Sequence, residues 1–291
     1  MAAYHLGSMN RFASAAGVLI DRIRINTITR QEREGRVAWI KRRRPAARLI
    51  LGFANGFFHL ATAPLRALAD PLLWQRWEVE SFNILHAPEF HAFSPEPASA
   101  EADELPGVNL TIHLDGGTIT PLMAAAAGRE LHRAHQCHCP QFNGLWSHGD
   151  PHLGNFIYDD RTNRARLIDF EVMHLQALPA KERHSDDLLI FLQDMAGRIR
   201  SEAWMPCAEA FLKAYANPEL TGLLLEKLKA PRWGFARLWW IVRLSYISGR
   251  EWRVRFEKLR CAIQSGSCSP DNPSAAHDPS GFLIITQSST G

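Results

Sequence analysis

Disulfide-ready cysteines, a secretory leader and a membrane-length apolar run are all missing from this chain of 291 residues. The five cysteines are odd in number and, Cys137 and Cys139 aside, far apart. They provide no disulfide framework and fit a reducing compartment. The first twenty residues lack a basic start, a clean apolar stretch and a small-residue cleavage site, so no secretory signal is read there. The longest charge-free run, Leu49 to Leu65, has seventeen residues and includes Asn55, His59 and two glycines. A spanning helix needs ~20 mostly apolar residues, so this run is read as a buried helix. No internal repeat is visible. The expected location is the cytoplasm, with room for peripheral contact at the inner face of the membrane.

Apolar residues make up 46% of the chain and charged residues 22%, which excludes disorder and collagen-like repeats. Nine tryptophans and fifteen phenylalanines supply bulk for a sizeable core. The net charge of +3 averages over an uneven chain. Between Arg22 and Arg48 ten lysines and arginines face only Glu32 and Glu34, whereas from Glu89 to Glu104 every charge is acidic.

Partial alternation in Val18–Ile28 and in Arg36–Lys41 predicts short strands. Pro45 opens a helical stretch carrying Leu49, Phe53, Phe57 and Leu60, and a second helix is expected from Pro71 to about His86. Pro88–Pro106, rich in proline, alanine and glutamate, reads as an insertion or loop, and Val108–Leu114 as a strand. A helix from Leu122 ends before Cys139-Pro140. Phe156–Asp160 and Ala165–Phe170 read as two strands around a turn. From Asp186 to about Cys261 the chain is helical in character, and beyond Ala262 it reads as a disordered tail. Strands first and helices later predict an α+β chain in two lobes. The expected divisions are an extension (1–16), a strand-rich N-lobe (17–120), a mostly helical C-lobe (121–262) and the tail (263–291).

The chemistry-bearing stretch is His148-Gly149-Asp150-Pro151-His152-Leu153-Gly154-Asn155, followed by Ile168-Asp169-Phe170-Glu171. Phosphoryl transfer needs a carboxylate to hold the attacking hydroxyl. It also needs an amide oxygen and a second carboxylate to hold Mg²⁺ against nucleotide phosphates. The Asp–Asn spacing puts two of these on one tight loop, and the second aspartate ends the following apolar strand. These residues resemble the protein-kinase-like superfamily, and more closely its small-molecule branch of aminoglycoside and choline phosphotransferases and bacterial lipopolysaccharide-core sugar kinases. His148-Gly149-Asp150 with Asn155 matches their His-Gly-Asp-x-x-x-x-Asn loop, and Ile168–Glu171 their metal-binding motif, with Glu171 where protein kinases carry glycine. The resemblance implies a two-lobed kinase-like fold, Asp150 as catalytic base, Asn155 and Asp169 as Mg²⁺ ligands, and ATP as the phosphoryl donor.

Weaker features agree. Val37-Ala38-Trp39-Ile40-Lys41 resembles the strand whose lysine reaches the nucleotide phosphates. Glu78 and Glu80 are the candidate partners of Lys41, with Glu80 in the better relation to Ile84 and Leu85. The gap is longer than in most kinases, so the Pro45–Leu68 stretch is taken as an insertion. Asp187, in Ser185-Asp186-Asp187-Leu188, resembles the helix-start aspartate that braces the catalytic loop, of which His148 is also a supporting member. No Gly-x-Gly-x-x-Gly precedes Lys41, Gly17 and Gly35 being isolated, which argues against a protein kinase and leaves the phosphate-covering residues unassigned.

Other readings compete with this one. His132, His135, Cys137, His138 and Cys139 invite a zinc site, but no second pair stands at finger distance. The Gly-Asp-x-His of 149–152 resembles calcineurin-like phosphatases, whose other metal motifs do not appear in order. The basic block lacks a nucleic-acid motif, and no nucleic-acid partner is expected. The block is read first as a solvated charge run beside a core helix, with an anionic membrane surface as its second use. Trp233, Trp239, Trp240, Tyr246 and Trp252, with neighbouring arginines, are either an acceptor cleft or core. The expected acceptor is a lipid-linked lipopolysaccharide core sugar. An aminoglycoside- or choline-type kinase and a catalytically silent scaffold are the alternatives.

Overall fold

The computed structural model describes residues 25–33, 35–199, 202–229, 234, 247–266 and 268. The expected extension, most of Val18–Ile28, Trp233, Trp239, Trp240, Tyr246 and nearly all of the tail lie outside the described residues.

The first half is built on an antiparallel hairpin, β1 (Asn26–Arg33) and β2 (Arg36–Arg43), in the register Asn26↔Arg43 and Ile28↔Lys41. Helix α1 (Ala47–Leu60) follows, then a short strand β3 (Leu65–Ala67). Helix α2 (Pro71–His86) begins where Asp70 accepts hydrogen bonds from the backbone of Leu72 and Leu73, both at 2.9 Å, with Pro71 in the first turn.

Two expectations fail in the next segment. Pro88–Pro106 is not a loop: it holds β4 (Ala92–Phe93) and β5 (Ser99–Asp103), which complete a four-stranded sheet in the order β1-β2-β5-β4. The prolines stand outside these strands, where no ladder N–H is needed, and small residues such as Ala100 and Ala102 give a weak strand signal. Only Val108–Asn109 (β6) of the expected 108–114 strand is extended. The Asn109 side chain then caps the Thr111 backbone at 2.8 Å and starts a short helix, α3 (Leu110–Asp115).

The second half opens with α4 (Pro121–His135), capped by Thr120, and a small hairpin of β7 (His138–Cys139) and β8 (Gly144–Leu145). Strands β9 (Phe156–Asp159) and β10 (Arg164–Leu167) form the expected hairpin, and β6 adds to it in the order β10-β9-β6. The chain therefore crosses between its halves at Glu104–Gly107. Strand β11 (Val172–His174) turns back to pair with β3. Helices α5 (Ala180–Arg198), α6 (Trp204–Tyr215), α7 (Pro218–Lys227) and α8 (Gly249–Gln264) complete the described chain. The α+β class expected from the sequence is the class observed.

One apolar core runs from Trp74 and Trp77 of α2 through α4, β9 and β10 to α5, α6 and α8. Trp252 belongs to it, fully buried, which removes that residue from the acceptor-cleft reading. A satellite core of Ala47, Leu51, Phe58, Leu65 and Ala67 seats α1 on β3. The α4–α6 crossing is so close that a Cβ on Gly128 would stand 2.3 Å from the carbonyl oxygen of Phe211. Gly128→Val should therefore lower stability by about 1–3 kcal/mol, read as a shift of the urea midpoint, whereas the same change at open Gly222 should cost less.

Candidate active site

Alternation along β2 splits the Lys41-Arg42-Arg43-Arg44 run. Lys41 and Arg43 point inward, while Arg42 and Arg44 are exposed. The Lys41 ammonium donates to Glu78 Oε1 at 2.5 Å and to Asp169 Oδ1 at 2.9 Å. The other Glu78 oxygen accepts from the Phe170 backbone at 2.9 Å. Three elements distant in sequence thus meet on one cation. Burial alone would lower the lysine pKa, but Asp169, Glu78 and Glu171 around it outweigh burial and raise it. Burial likewise opposes ionisation of Asp169, and the Lys41 charge overcomes it, holding that carboxyl below the usual range.

Glu80, the sequence's favoured partner for Lys41, is not the one in contact. Two residues along a helix rotate a side chain by about 200°. Glu80 accordingly faces Arg66, Arg76 and Gln141 on the other side of α2. Glu78 is buried and faces the sheet. The long gap after Lys41 is occupied by α1 and β3.

Asp169 sits at φ +69°, a backbone region that aspartate tolerates better than most residues. Its neighbours hold it there: the Ile168 N–H donates to the Asn155 carbonyl at 2.9 Å, and Phe170 is fixed by Glu78. Asn155 donates its amide N–H to the Asp150 carbonyl at 2.8 Å, which assigns the amide orientation and leaves Oδ1 as an acceptor. The Asp150 carboxylate is partly exposed, with His152 Nε2 3.9 Å away.

The loop carrying Asp150 is pinned from behind by Asp187. Its carboxylate accepts from the His148 backbone at 2.9 Å, the Gly149 backbone at 2.8 Å and His135 Nε2 at 2.9 Å. Burial opposes ionisation, yet His174, His135 and His148 around it hold the carboxyl well below the usual range. Asp187 is not at a helix start as expected, since α5 begins two turns earlier at Ala180. It braces the loop from within the helix. His148 donates from Nε2 to the Ile168 carbonyl at 3.1 Å and accepts at Nδ1 from the Asp150 backbone at 3.3 Å, so it is neutral and joins the two motifs. Gly149 has φ +89°, and a Cβ there would meet the Val172 carbonyl at 3.2 Å.

A cleft of about 410 Å³ lies between the two halves. Ala100, Ala102, Leu105, Ile157 and Ile168 give it an apolar lining, and Lys41, Glu78 and Asp169 line it as well. Trp39 and Ile28 roof it from the hairpin, and Trp39 Nε1 donates to Glu104 at 3.0 Å. Three of the five residues of the zinc reading have other partners. His135 faces Asp187 and Tyr215, while Cys137 and Cys139 contact the Arg133 carbonyl and Gln141.

Arg43, Asn26 and the cleft-facing end of β5 were not singled out in the sequence. Arg43 is fully buried, lies 4.3 Å over the Trp74 ring, and donates to Asn26 at 3.1 Å and to the Leu68 carbonyl at 3.0 Å. It faces Glu171 at 3.6 Å, and Asn26 donates to the same carboxylate. Burial, with Asp169 nearby, pushes the Glu171 carboxyl upward. The available signal was strand alternation, which puts Arg43 on the face of Lys41.

No known family matches the sequence, and no curated protein does. Among solved structures, WaaP in complex with acyl carrier protein aligns at 17% identity over 77% of this chain and 85% of that one, with a TM-score of 0.36. The bifunctional kinase-methyltransferase WbdD aligns at 16% over 77% of this chain and 45% of its own, with a TM-score of 0.34. A MAP kinase from Leishmania major aligns at 13% over 90% of this chain and 88% of its own, with a TM-score of 0.37. Likeness at this level carries no argument about activity, which rests on the side chains themselves.

Two stability measurements test the packing around the cleft. Arg43→Met strands Glu171 beside Asp169 and should cost about 3 kcal/mol or more, whereas exposed Arg44→Met should cost under about 0.5 kcal/mol, both by urea unfolding. Buried His86 donates from Nε2 to the Leu167 carbonyl at 2.8 Å, and burial pushes its pKa down to about 4. A depressed histidine leaves stability intact above its unfolded pKa of about 6.5 and erodes it as pH falls toward 4. Between those pH values His86 should account for a loss of roughly 3 kcal/mol, and His86→Gln should flatten that part of the pH–stability curve.

Proposed function

We infer that the protein is an ATP- and Mg²⁺-dependent phosphotransferase with a two-lobed kinase-like architecture. The observation that carries this reading is the convergence of Lys41, Glu78 and Asp169 in the lining of an apolar cleft, with the braced loop of Asp150 and Asn155 bonded to Ile168 beside Asp169. A planar base fits the apolar part of the cleft, with the triphosphate toward Lys41. Lys41, kept charged by its carboxylate neighbours, binds the phosphates, and Glu78 fixes its direction. Asn155 Oδ1 and the Asp169 carboxylate are hard oxygen donors of the type Mg²⁺ prefers, and they would hold it. A bound Mg²⁺ supplies charge neutralisation for the transferring phosphoryl group.

Asp150 orients the acceptor hydroxyl and takes its proton as the hydroxyl oxygen forms its bond to the γ-phosphorus and the bond to the β-phosphate oxygen breaks. Its partial exposure leaves it open to an acceptor. The acceptor proposed is a sugar hydroxyl on a lipid-linked, phosphate-bearing glycolipid of the lipopolysaccharide-core type. The His-Gly-Asp form of the loop and the exposed arginines Arg44, Arg48 and Arg66 of the strand-rich half support that choice. The proposed location is the cytoplasmic side of the membrane.

Asp150→Ala and Asp169→Ala should each reduce phosphate transfer by several orders of magnitude without comparable loss of folding. Asp169→Ala should also abolish the Mg²⁺ dependence of ATP-induced thermal stabilisation, while Asp150→Ala should keep it. Transfer from labelled ATP to core oligosaccharide, measured beside aminoglycosides and choline, identifies the acceptor class. Wild-type turnover in either variant would sink the reading.

A further inference from the structure

Helix α1 is apolar on two opposite faces. Ala47, Leu51 and Phe58 pack on β3, which accounts for one face. On the other, Leu49, Gly52, Phe53, Gly56 and Leu60 recur at three- and four-residue spacing and form a single outward stripe. Leu49 is 68% exposed, Phe53 75% and Leu60 57%. Among the described residues no atom lies within 4 Å of where a Cβ would stand on Gly52 or Gly56, so nothing described imposes a steric need for glycine there. A surface helix ordinarily turns polar residues outward. This one carries no acidic residue, and the chain enters it through exposed Arg44 and Arg48.

Charge around the helix is lopsided in the same sense. Exposed Arg66 follows on β3, and Arg48 and Arg66 both act on the Asp70 carboxylate at the start of α2. Glu96 is held by Arg42 at 2.6 Å, and Glu80 shares a pocket with Arg66 and Arg76. His59 lies exposed near the far end of α1. Asp70 and Glu96 are thus already faced by arginine, while Arg44 and Arg48 flank an uncharged stripe.

We propose that α1 is a peripheral membrane-docking helix, lying in the plane of an anionic bilayer with Leu49, Phe53 and Leu60 in the acyl boundary and Arg44 and Arg48 among the phosphates. Apolar depth and basic flanks are the two terms that hold such helices at an interface, and neither requires a span. At 14 residues α1 is about 21 Å long, and among the described residues no helix is long and apolar enough to cross a membrane. The stripe lies opposite the face that seats α1 on β3. Strand β3 in turn pairs with β11, directly after Glu171, so the docked helix is connected to the candidate site through one hydrogen-bonded strand pair.

Flotation of the full-length chain with vesicles tests the proposal. Binding should be strong with phosphatidylglycerol vesicles, weak with phosphatidylcholine alone, and reduced by salt. Leu49→Ser/Phe53→Ser should weaken binding about tenfold or more. Arg44→Gln/Arg48→Gln should weaken it about twenty-fold and remove most of the salt dependence. Because all four side chains are exposed, both variants should keep the wild-type melting temperature. The proposal is overturned if the wild type ignores anionic vesicles or if both variants bind as it does. It is equally overturned if the serine pair instead disperses a dimer in sedimentation without lipid. ATP-induced thermal shifts on the same samples report the phosphotransferase reading separately, so either failure is visible alone.

Discussion

The Lys41 ammonium between Glu78 and Asp169 is the interaction on which the arrangement of the cleft depends. A lone buried ammonium is expensive, and two carboxylates facing each other would repel; together the three groups offset both costs. Each partner comes from a different element, so the pair fixes α2 against the sheet and Asp169 against both. Glu78 adds the Phe170 backbone to the same knot, which keeps Asp169 in its left-handed conformation. A second cation, Arg43, stands one strand pleat away and faces Glu171, the next carboxylate in the run. Lys41 and Arg43 thus lie among the carboxyl groups of Glu78, Asp169 and Glu171, so that each cation has at least one of them within 4 Å.

Behind the cleft, Asp187 does for the loop what Lys41 does for the motif after β10. Gly149 must adopt a positive φ beside the Val172 carbonyl, and two consecutive backbone N–H groups are thereby turned toward α5. Only an acceptor with two oxygens on a short stem meets both, and an aspartate one face away from solvent provides it. His135 and Tyr215 extend this network into the α4–α6 packing, where Gly128 permits the close crossing. The position of Asp150 is therefore set by core packing and by backbone hydrogen bonds together, and its carboxylate remains partly exposed.

How much of this was legible in the sequence follows from which interactions are local. Pro71–His86 reads correctly because an N-cap, a proline and a terminating proline all lie within the segment. The Asp150–Asn155 and Asp169 spacing reads because loop and hairpin are contiguous. Residues 88–106 do not read, because β5 is specified by pairing with β2, across some sixty residues, and its alanines carry little intrinsic preference. The choice between Glu78 and Glu80 also failed. Ile84 and Leu85 define an apolar side of α2, but the helix is covered by the core on more than one side, and the partner's location decides which glutamate is inward. For Arg43, the charge run masked the alternation.

The same run shows how one basic block divides between the two faces of a strand. A strand sends successive residues to opposite faces, so four consecutive cations cannot all be solvated and cannot all be buried. Lys41 and Arg43 are consumed by carboxylates inside, Arg42 by Glu96 at the rim, and Arg44 emerges at the end of the strand, where α1 begins. A net charge of +3 therefore says little about the cleft, where the carboxylates match the cations, and more about the outer face. The α1–β3 segment between Lys41 and its partner helix would ordinarily be a liability, since it lengthens the chain that must close around the buried ion pair. Its cost is offset by the satellite core and by the Asn55 amide, which both donates to and accepts from the Ala67 backbone at 2.8 Å. These contacts account for the inner face of α1, while among the described residues the outer stripe stays exposed, which is the asymmetry a membrane surface would complete.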